Sequence, residues 1–191
     1  AKREDWSPTF VAKILLDSDK DHLAEPLVRL VEDSYNGNIS ERQMSRLISY
    51  LSIVHVSSFS PVVDRTLLSS DRVEVIIACL RLVKWQDSLP RVRELLRSER
   101  WEIRLQAVQT LGRLGLEEDV EHLIESLNDL DWWVRYRSAS ALLLMPTMNE
   151  QKLNDLAVKL PNEFARDILS QVLAENRLLC LNQSSSSILS K

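Results

Sequence analysis

The chain of 191 residues is 45% hydrophobic, holds only three Gly and six Pro, and carries 28 acidic against 24 basic side chains for a formal charge of −4. That length suits one domain or one short repeat array, and so few helix breakers favour helix almost throughout. The negative balance argues against a chain built mainly to neutralise phosphates, and 6% aromatic content is low for a β-sandwich.

Two cysteines stand far apart. Cys79 lies within Val75-Ile76-Ile77-Ala78-Cys79-Leu80, where a thiol behaves as a small hydrophobe. Both Cys79 and Cys180 read as reduced, which points to the cytoplasm. No apolar run approaches the ~18 residues of a membrane span, and no signal peptide precedes the first expected helix. The chain begins at Ala1, which is compatible with a processed start or with a piece of a longer protein tethered to a membrane complex through a partner or through a segment outside this sequence.

In chain order, Ser7-Pro8 opens a helix to about Asp17, and a second helix from Asp21 to about 34 carries Leu23, Leu27, Leu30 and Val31 on one face. Tyr35-Asn36-Gly37-Asn38 is a turn by composition. Ser40 with Gln43 forms a capping box for a helix whose apolar face is Met44, Leu47, Ile48 and Leu51. Ser60-Pro61 starts a short helix through Leu68. Asp71 with Glu74 would cap a helix running to Trp85, apolar nearly all round and therefore buried on several sides. Its partner, about 88–98, carries Leu89, Val92 and Leu96. Helices over 101–114 and 118–130 follow, with Gly115 placed for a left-handed C-cap. Asp131 caps 132–145, Pro146 stops it, and helices over about 150–159 and 162–179 complete the pattern.

The central feature is an internal repeat. Shifting the chain by about 31 residues lays Trp101 on Trp132, Ile103 on Val134, Arg104 on Arg135 and Leu111 on Leu142. Asp131 and Arg135, four apart on one helix, are placed to pair, and Ala107, Ser138 and Ala139 leave room for close helix approach. A single helical pair cannot bury its own apolar face, so several must stack.

Trp101–Leu114 and Asp131–Leu142 resemble the HEAT-like repeats of bacteria, including the short repeats of phycobilisome lyases. The resemblance rests on Ile103-Arg104 and Val134-Arg135, the small residues one turn on, and Leu111 or Leu142 closing the face. Arg100 stands where the second copy has Asp131. The resemblance implies an all-α fold, a right-handed α-α solenoid of about five stacked HEAT-like helical pairs. The expected organisation is one domain over 1–181, with pairs at about 8–34, 40–69, 72–98, 101–130 and 132–159 and a terminal helix at 162–179, then a flexible Ser-rich tail at 182–191. In the family the second helix of each pair lines the concave face, which puts Arg93, Arg97, Glu121, His122 and Glu125 towards a ligand.

Catalytic and metal patterns are absent from the sequence. His22, His55 and His122 are isolated from one another and from both cysteines, and there is no glycine-rich phosphate loop or nucleophile elbow. The expectation is a chain that is not an enzyme and needs no cofactor or metal.

Binding features are weighed against plainer readings. Arg91, Arg93, Arg97, Arg100 and Arg104 precede the acidic run Glu117, Glu118, Asp119, Glu121, Glu125, Asp129 and Asp131. Pairing between neighbouring helices is the ordinary reading, and a steering groove the sharper one. Trp85, Trp101, Trp132 and Trp133 fall near repeat junctions. Trp132 and Trp133 point about 100° apart, so both cannot be equally deep. Packing is the ordinary reading for Trp133, with an exposed anchor beside Arg137 the alternative. Ile188-Leu189 behind the serines is either a docking peptide or plain tail. The leading function is a non-enzymatic scaffold or adaptor taking a protein or peptide on its concave face. The alternatives are a nucleic-acid-binding protein like the HEAT-like DNA glycosylases, for which the carboxylates of 117–131 interrupt any basic stripe, and a lyase-associated protein that handles a small molecule.

Overall fold

A computed structural model of the protein describes residues 41–54 and 60–188, together with Arg29 alone in the stretch before them. The expected helices 8–17 and 21–34, the turn at Tyr35-Asn36-Gly37-Asn38, the cap at Ser40, His22, His55 and the end of the tail from Leu189 lie outside the described residues. Every regular element among the described residues is helical, as an α-α solenoid requires. In chain order they are α1 (Glu41–Val54), α2 (Ser60–Ser69), α3 (Val73–Leu82), a 3-10 turn (Gln86–Ser88), α4 (Leu89–Leu95), α5 (Trp101–Leu114), α6 (Asp119–Ser126), α7 (Trp132–Leu142), α8 (Glu150–Lys159) and α9 (Glu163–Ile188). The chain forms two compact units, one up to Arg91 and one from Val92.

In the first unit α3 packs against both α1 and α2. Its apolar girdle explains that position, since Val75, Ile76, Ala78, Cys79, Leu80 and Leu82 are all buried. Met44 and Ile48 of α1 and Val63 and Leu67 of α2 are buried too. Burial, helped by the nearby charge of Asp64, pushes the Cys79 thiol up to about 12, so it remains a packed, protonated side chain. Two local expectations are corrected. The helix begins at Val73 with Arg72 at the N-cap, so Asp71 falls one residue too early to cap it, and Ser70 Oγ instead accepts the Arg72 N–H at 3.2 Å. The helix also stops at Leu82 rather than Trp85. Trp85 is extended, and its Nε1–H donates to both Asp64 oxygens at 2.9 and 2.8 Å, with the Ser88 hydroxyl on the same carboxylate.

In the second unit α5 packs on α7 and α7 on α9, while α6 lies against α5 and α7 and α8 lies against α9. The contact between α5 and α7 is made by small residues. A Cβ on Gly112 would sit 2.5 Å from the Ala141 Cβ and 2.9 Å from its Cα, so the two backbones meet there. Gly115 is not left-handed: its φ is −61° and its ψ 153°. It is needed for space, because a Cβ would strike the Leu111 carbonyl oxygen and lie 3.2 Å from the Asp119 Cβ.

The sequence repeat has a structural counterpart that recurs three times. Arg104 Nη1 donates to the carbonyls of Ser98 and Glu99, at 2.9 and 3.2 Å. Arg135 Nη1 does the same to Asp129 and Leu130, at 2.7 and 3.0 Å, and Arg166 Nη1 to Leu160 and Pro161, at 2.9 and 3.2 Å. Each arginine thus ties down the turn before its own helix. The cap recurs as well: Asp131 Oδ1 accepts the Trp133 N–H at 2.8 Å and Asn162 Oδ1 the Phe164 N–H at 2.9 Å. Asp131 spends its carboxylate on the cap, and the expected Asp131–Arg135 pair does not form.

Helix α9 opens as a third copy of this frame. It exposes Asp167 and Ser170 where α5 has Leu105 and buried Val108, and where α7 has Tyr136 and buried Ala139. A polar face suits a helix that packs mainly on α7 and α8 among the described elements. It also runs through the serines to Ile188 instead of ending near 179, there being no Gly or Pro after Pro161 to stop it.

Candidate functional site

The second helices of the frame carry a polar depression of about 200 Å³ lined by Arg93, Leu96, Arg97, His122, Glu125, Ser126, Asn128 and Asp129. Three of the expected binding residues, Arg97, His122 and Glu125, therefore come together, with Arg93 at the same groove. Glu121 is exposed on α6 and is not part of the lining.

The two arginines of that groove differ. Arg93 Nε lies 2.5 Å from Asp119 Oδ1 and its Nη2 2.8 Å from Glu118 Oε1. The Asp119 hydrogen bond raises the guanidinium above its ordinary value against the opposing effect of burial, and the charges of Asp119 and Glu118 add to the rise. Asp119 is fully buried and also accepts the Leu116 N–H at 2.7 Å, so Arg93 is a pin between helices. Arg97 is 80% exposed and reaches the 68% exposed Glu125 only at 3.9 Å, a surface pair worth little.

A third pairing joins the repeats. Arg104 grips Asp129 with two parallel bonds, Nε to Oδ2 and Nη2 to Oδ1, both 2.7 Å, at 15% and 10% exposure. Burial works to raise the Asp129 carboxyl, yet the Arg104 bonds, the Asp131 N–H and the charges of Arg104 and Arg135 together hold it below its ordinary value. The basic segment before α5 and the acidic segment after it are thus largely consumed by one another, in keeping with the ordinary reading of that charge pattern.

On α7 the aromatic residues behave differently. Trp132 stacks on Tyr136 with centroids 5.1 Å apart and planes 17° apart, and Trp133 meets Trp132 edge-on at 4.8 Å and 83°. Trp133 also faces Tyr136 at 6.4 Å and 82°, and Arg137 Cζ sits 5.9 Å from the Tyr136 ring centre. These rings are not core. Trp133 is 51% and Trp132 41% exposed, and Leu130 at 96% and Phe164 at 67% are exposed as well. The Tyr136 hydroxyl donates to Glu175 Oε2 at 2.7 Å, and that bond, with some desolvation and the carboxylate charge, raises the phenol above its ordinary value. Sequence reasoning selected Trp133 and Arg137 but passed over Tyr136. Its spacing was the available signal, since residues three and four apart on a helix are neighbours and Tyr136 stands so from Trp133 and Trp132.

No group of three or more His, Cys, Asp or Glu among the described residues is placed to hold a metal ion, and no described helix is long and apolar enough to cross a membrane. A search of curated proteins found no match to the chain. Residues 69–143 match the family model described as HEAT repeats. That match runs from the end of α2 through α7, the helices that carry both the polar groove and the aromatic cluster, and over this stretch the chain is similar to HEAT repeats.

Proposed function

We propose that this protein is a non-enzymatic scaffold that binds a protein or peptide partner, with the aromatic patch of α7 as its anchor. The observation that carries this reading is the exposure of Trp132 and Trp133 in fixed mutual orientation beside Tyr136 and Arg137. Trp, Tyr and Arg dominate the energetics of protein interfaces. Side chains already held against one another lose little freedom on binding. HEAT repeats commonly serve protein interaction, which favours the same reading. The groove of Arg97, His122 and Glu125 offers a second, polar contact surface on the second helices, with Glu121 exposed on the same helix and Arg93 holding its wall. The thiol of Cys79, buried and outside any disulfide, suits a reducing cytoplasm. Nucleic acid is disfavoured, because Arg93 and Arg104 are already neutralised by Asp119 and Asp129.

Affinity capture from native extract with nuclease treatment tests this, comparing wild type with Trp133→Ala. A half-exposed tryptophan should cost about 0.5 kcal/mol of stability or less, so the melting point should hardly move while the captured protein is lost. Capture that survives Trp133→Ala would remove the anchor, and capture that disappears with nuclease would favour nucleic acid.

A further inference from the structure

The arginine frame lacks its carboxylate at Arg135, on the helix that carries the aromatic patch. Arg104 donates Nη1 to two turn carbonyls and its Nε to the Asp129 carboxylate. Arg135 repeats the carbonyl bonds, but the position equivalent to Asp129, one 31-residue step on, is Leu160. The Arg135 Nε is consequently buried with no hydrogen-bond partner. The nearby Asp129 feels the charge of Arg135, yet both its oxygens are engaged by Arg104 and one also accepts the Asp131 N–H. The Arg135 guanidinium lies over the exposed Phe164 ring, 6.0 Å from its centre.

On the other flank, Arg137 is exposed and its contact is the Tyr136 ring. Among the described residues neither Arg135 nor Arg137 forms an ion pair, whereas Arg93, Arg97, Arg100 and Arg104 each do. A buried guanidinium edge without an acceptor leaves unmet a bond that a carboxylate fits well.

We propose that the aromatic patch recognises an acidic peptide segment, one carboxylate pairing with Arg137 and a second completing Arg135, while an apolar or proline side chain between them lies on Trp132 and Trp133. This rests on the anchor reading above. Two residues apart on a helix, Arg135 and Arg137 point about 160° from one another, so the segment crosses the helix over its rings. The path around half of a helix about 10 Å across is roughly 16 Å, and at about 3.3 Å per extended residue it puts the two acidic residues about five positions apart. The Phe164 ring turns aside as the carboxylate reaches Arg135 Nε.

Selection of a displayed random-peptide library on the immobilised full chain tests the proposal. Each recovered peptide is then remade with its acidic residues as amides and measured by fluorescence anisotropy against wild type, Trp133→Ala, Arg137→Gln and Arg135→Gln. Recovered peptides should hold paired Asp or Glu about an aromatic or proline residue. Amide replacement and Arg137→Gln should each weaken binding about tenfold, and affinity should fall as salt rises. Arg135→Gln should act likewise; because it also loosens a turn, the variant at the exposed Arg137 keeps the test decisive if Arg135→Gln does not fold. Neutral or basic peptides that still need Trp133 would overturn the acidic partner and leave the anchor standing. A library with no Trp133-dependent binder also overturns the acidic partner, and the capture experiment then decides the anchor separately.

Discussion

At the same position of the repeat, Arg104 ends in a carboxylate and Arg135 does not. Around Arg104 the frame is closed: Asp129 takes its fork, and Arg100 pairs with Glu102 beside the single Trp101. Around Arg135 it is open: Leu160 replaces the acid, and Trp132, Trp133 and Phe164 stand in solvent. One backbone plan thus serves two ends, a locked junction and a surface with unmet bonding capacity. Repetition of a fold fixes where side chains are presented, and the substitutions at those positions decide whether they hold the stack together or remain for a partner.

The comparison breaks most visibly if the locked arginine is removed. Arg104→Ala leaves the 10% exposed Asp129 without its counter-charge and should cost about 3 kcal/mol, against about 1 kcal/mol for Arg135→Ala, which loses hydrogen bonds to carbonyls. Thermal unfolding at about 2–4 °C per kcal/mol separates the two, and equal losses would mean that the Asp129 fork contributes nothing. The same pair gives a pH signature. The Asp129 carboxyl is held low in the folded chain, so the unfolded chain binds the proton first as acid is added. Its stabilisation is full above the unfolded value of about 3.9 and disappears as pH falls through the lower folded value. Asp129→Asn should flatten that part of the stability curve below about pH 4, measured by denaturant melts across pH.

Next in size is the helix contact both repeats share. Gly112→Ala drives a Cβ into the Ala141 backbone and should cost about 1–3 kcal/mol, read from the denaturant midpoint. An unchanged midpoint would show that α5 and α7 can separate freely. Tyr136→Phe sharpens the open side: it removes the bond to Glu175 and should cost about 1 kcal/mol. In a spectroscopic titration Tyr136 should ionise above the ordinary phenol value, because the Glu175 carboxylate accepts its proton and disfavours the phenolate. The smallest stability effect, about 0.5 kcal/mol or less, is expected for Trp133→Ala, the variant with the largest expected effect on partner capture.

Much of the helical layout could be read directly. The limits of α5 are those expected, α8 matches 150–159, and Asp131 caps α7. Such signals are local: a cap acts within three residues and a helical stripe repeats every 3.6. Departures came where a distant group intervened. Trp85 leaves α3 for Asp64, and Gly115 is set by the Asp119 side chain rather than by a left-handed cap. The third copy of the frame, at Arg166, was hidden because Asn162, Glu163 and Ala165 replace Asp131, Trp132 and Val134, although Arg166 and Leu173 persist.

For the candidate site, the residue types were legible and their roles were not. Spacing brought Arg93 and Arg97 under one heading, yet one is pinned to a buried carboxylate and the other, on the surface, meets Glu125 only at 3.9 Å. Nothing local tells Trp133 from a core tryptophan, since its burial depends on which neighbour α7 meets. By itself the sequence determined the all-helical class, the 31-residue frame and the positions of most helix ends, because these follow from short-range backbone preferences and periodic apolar faces. Only the tertiary structure decided which arginine meets which carboxylate 25 residues away, which rings remain uncovered, and that Arg135 lacks an acceptor. Those outcomes depend on how neighbouring helices are placed against one another, and side chains four bonds long find or miss their partners on differences of an ångström.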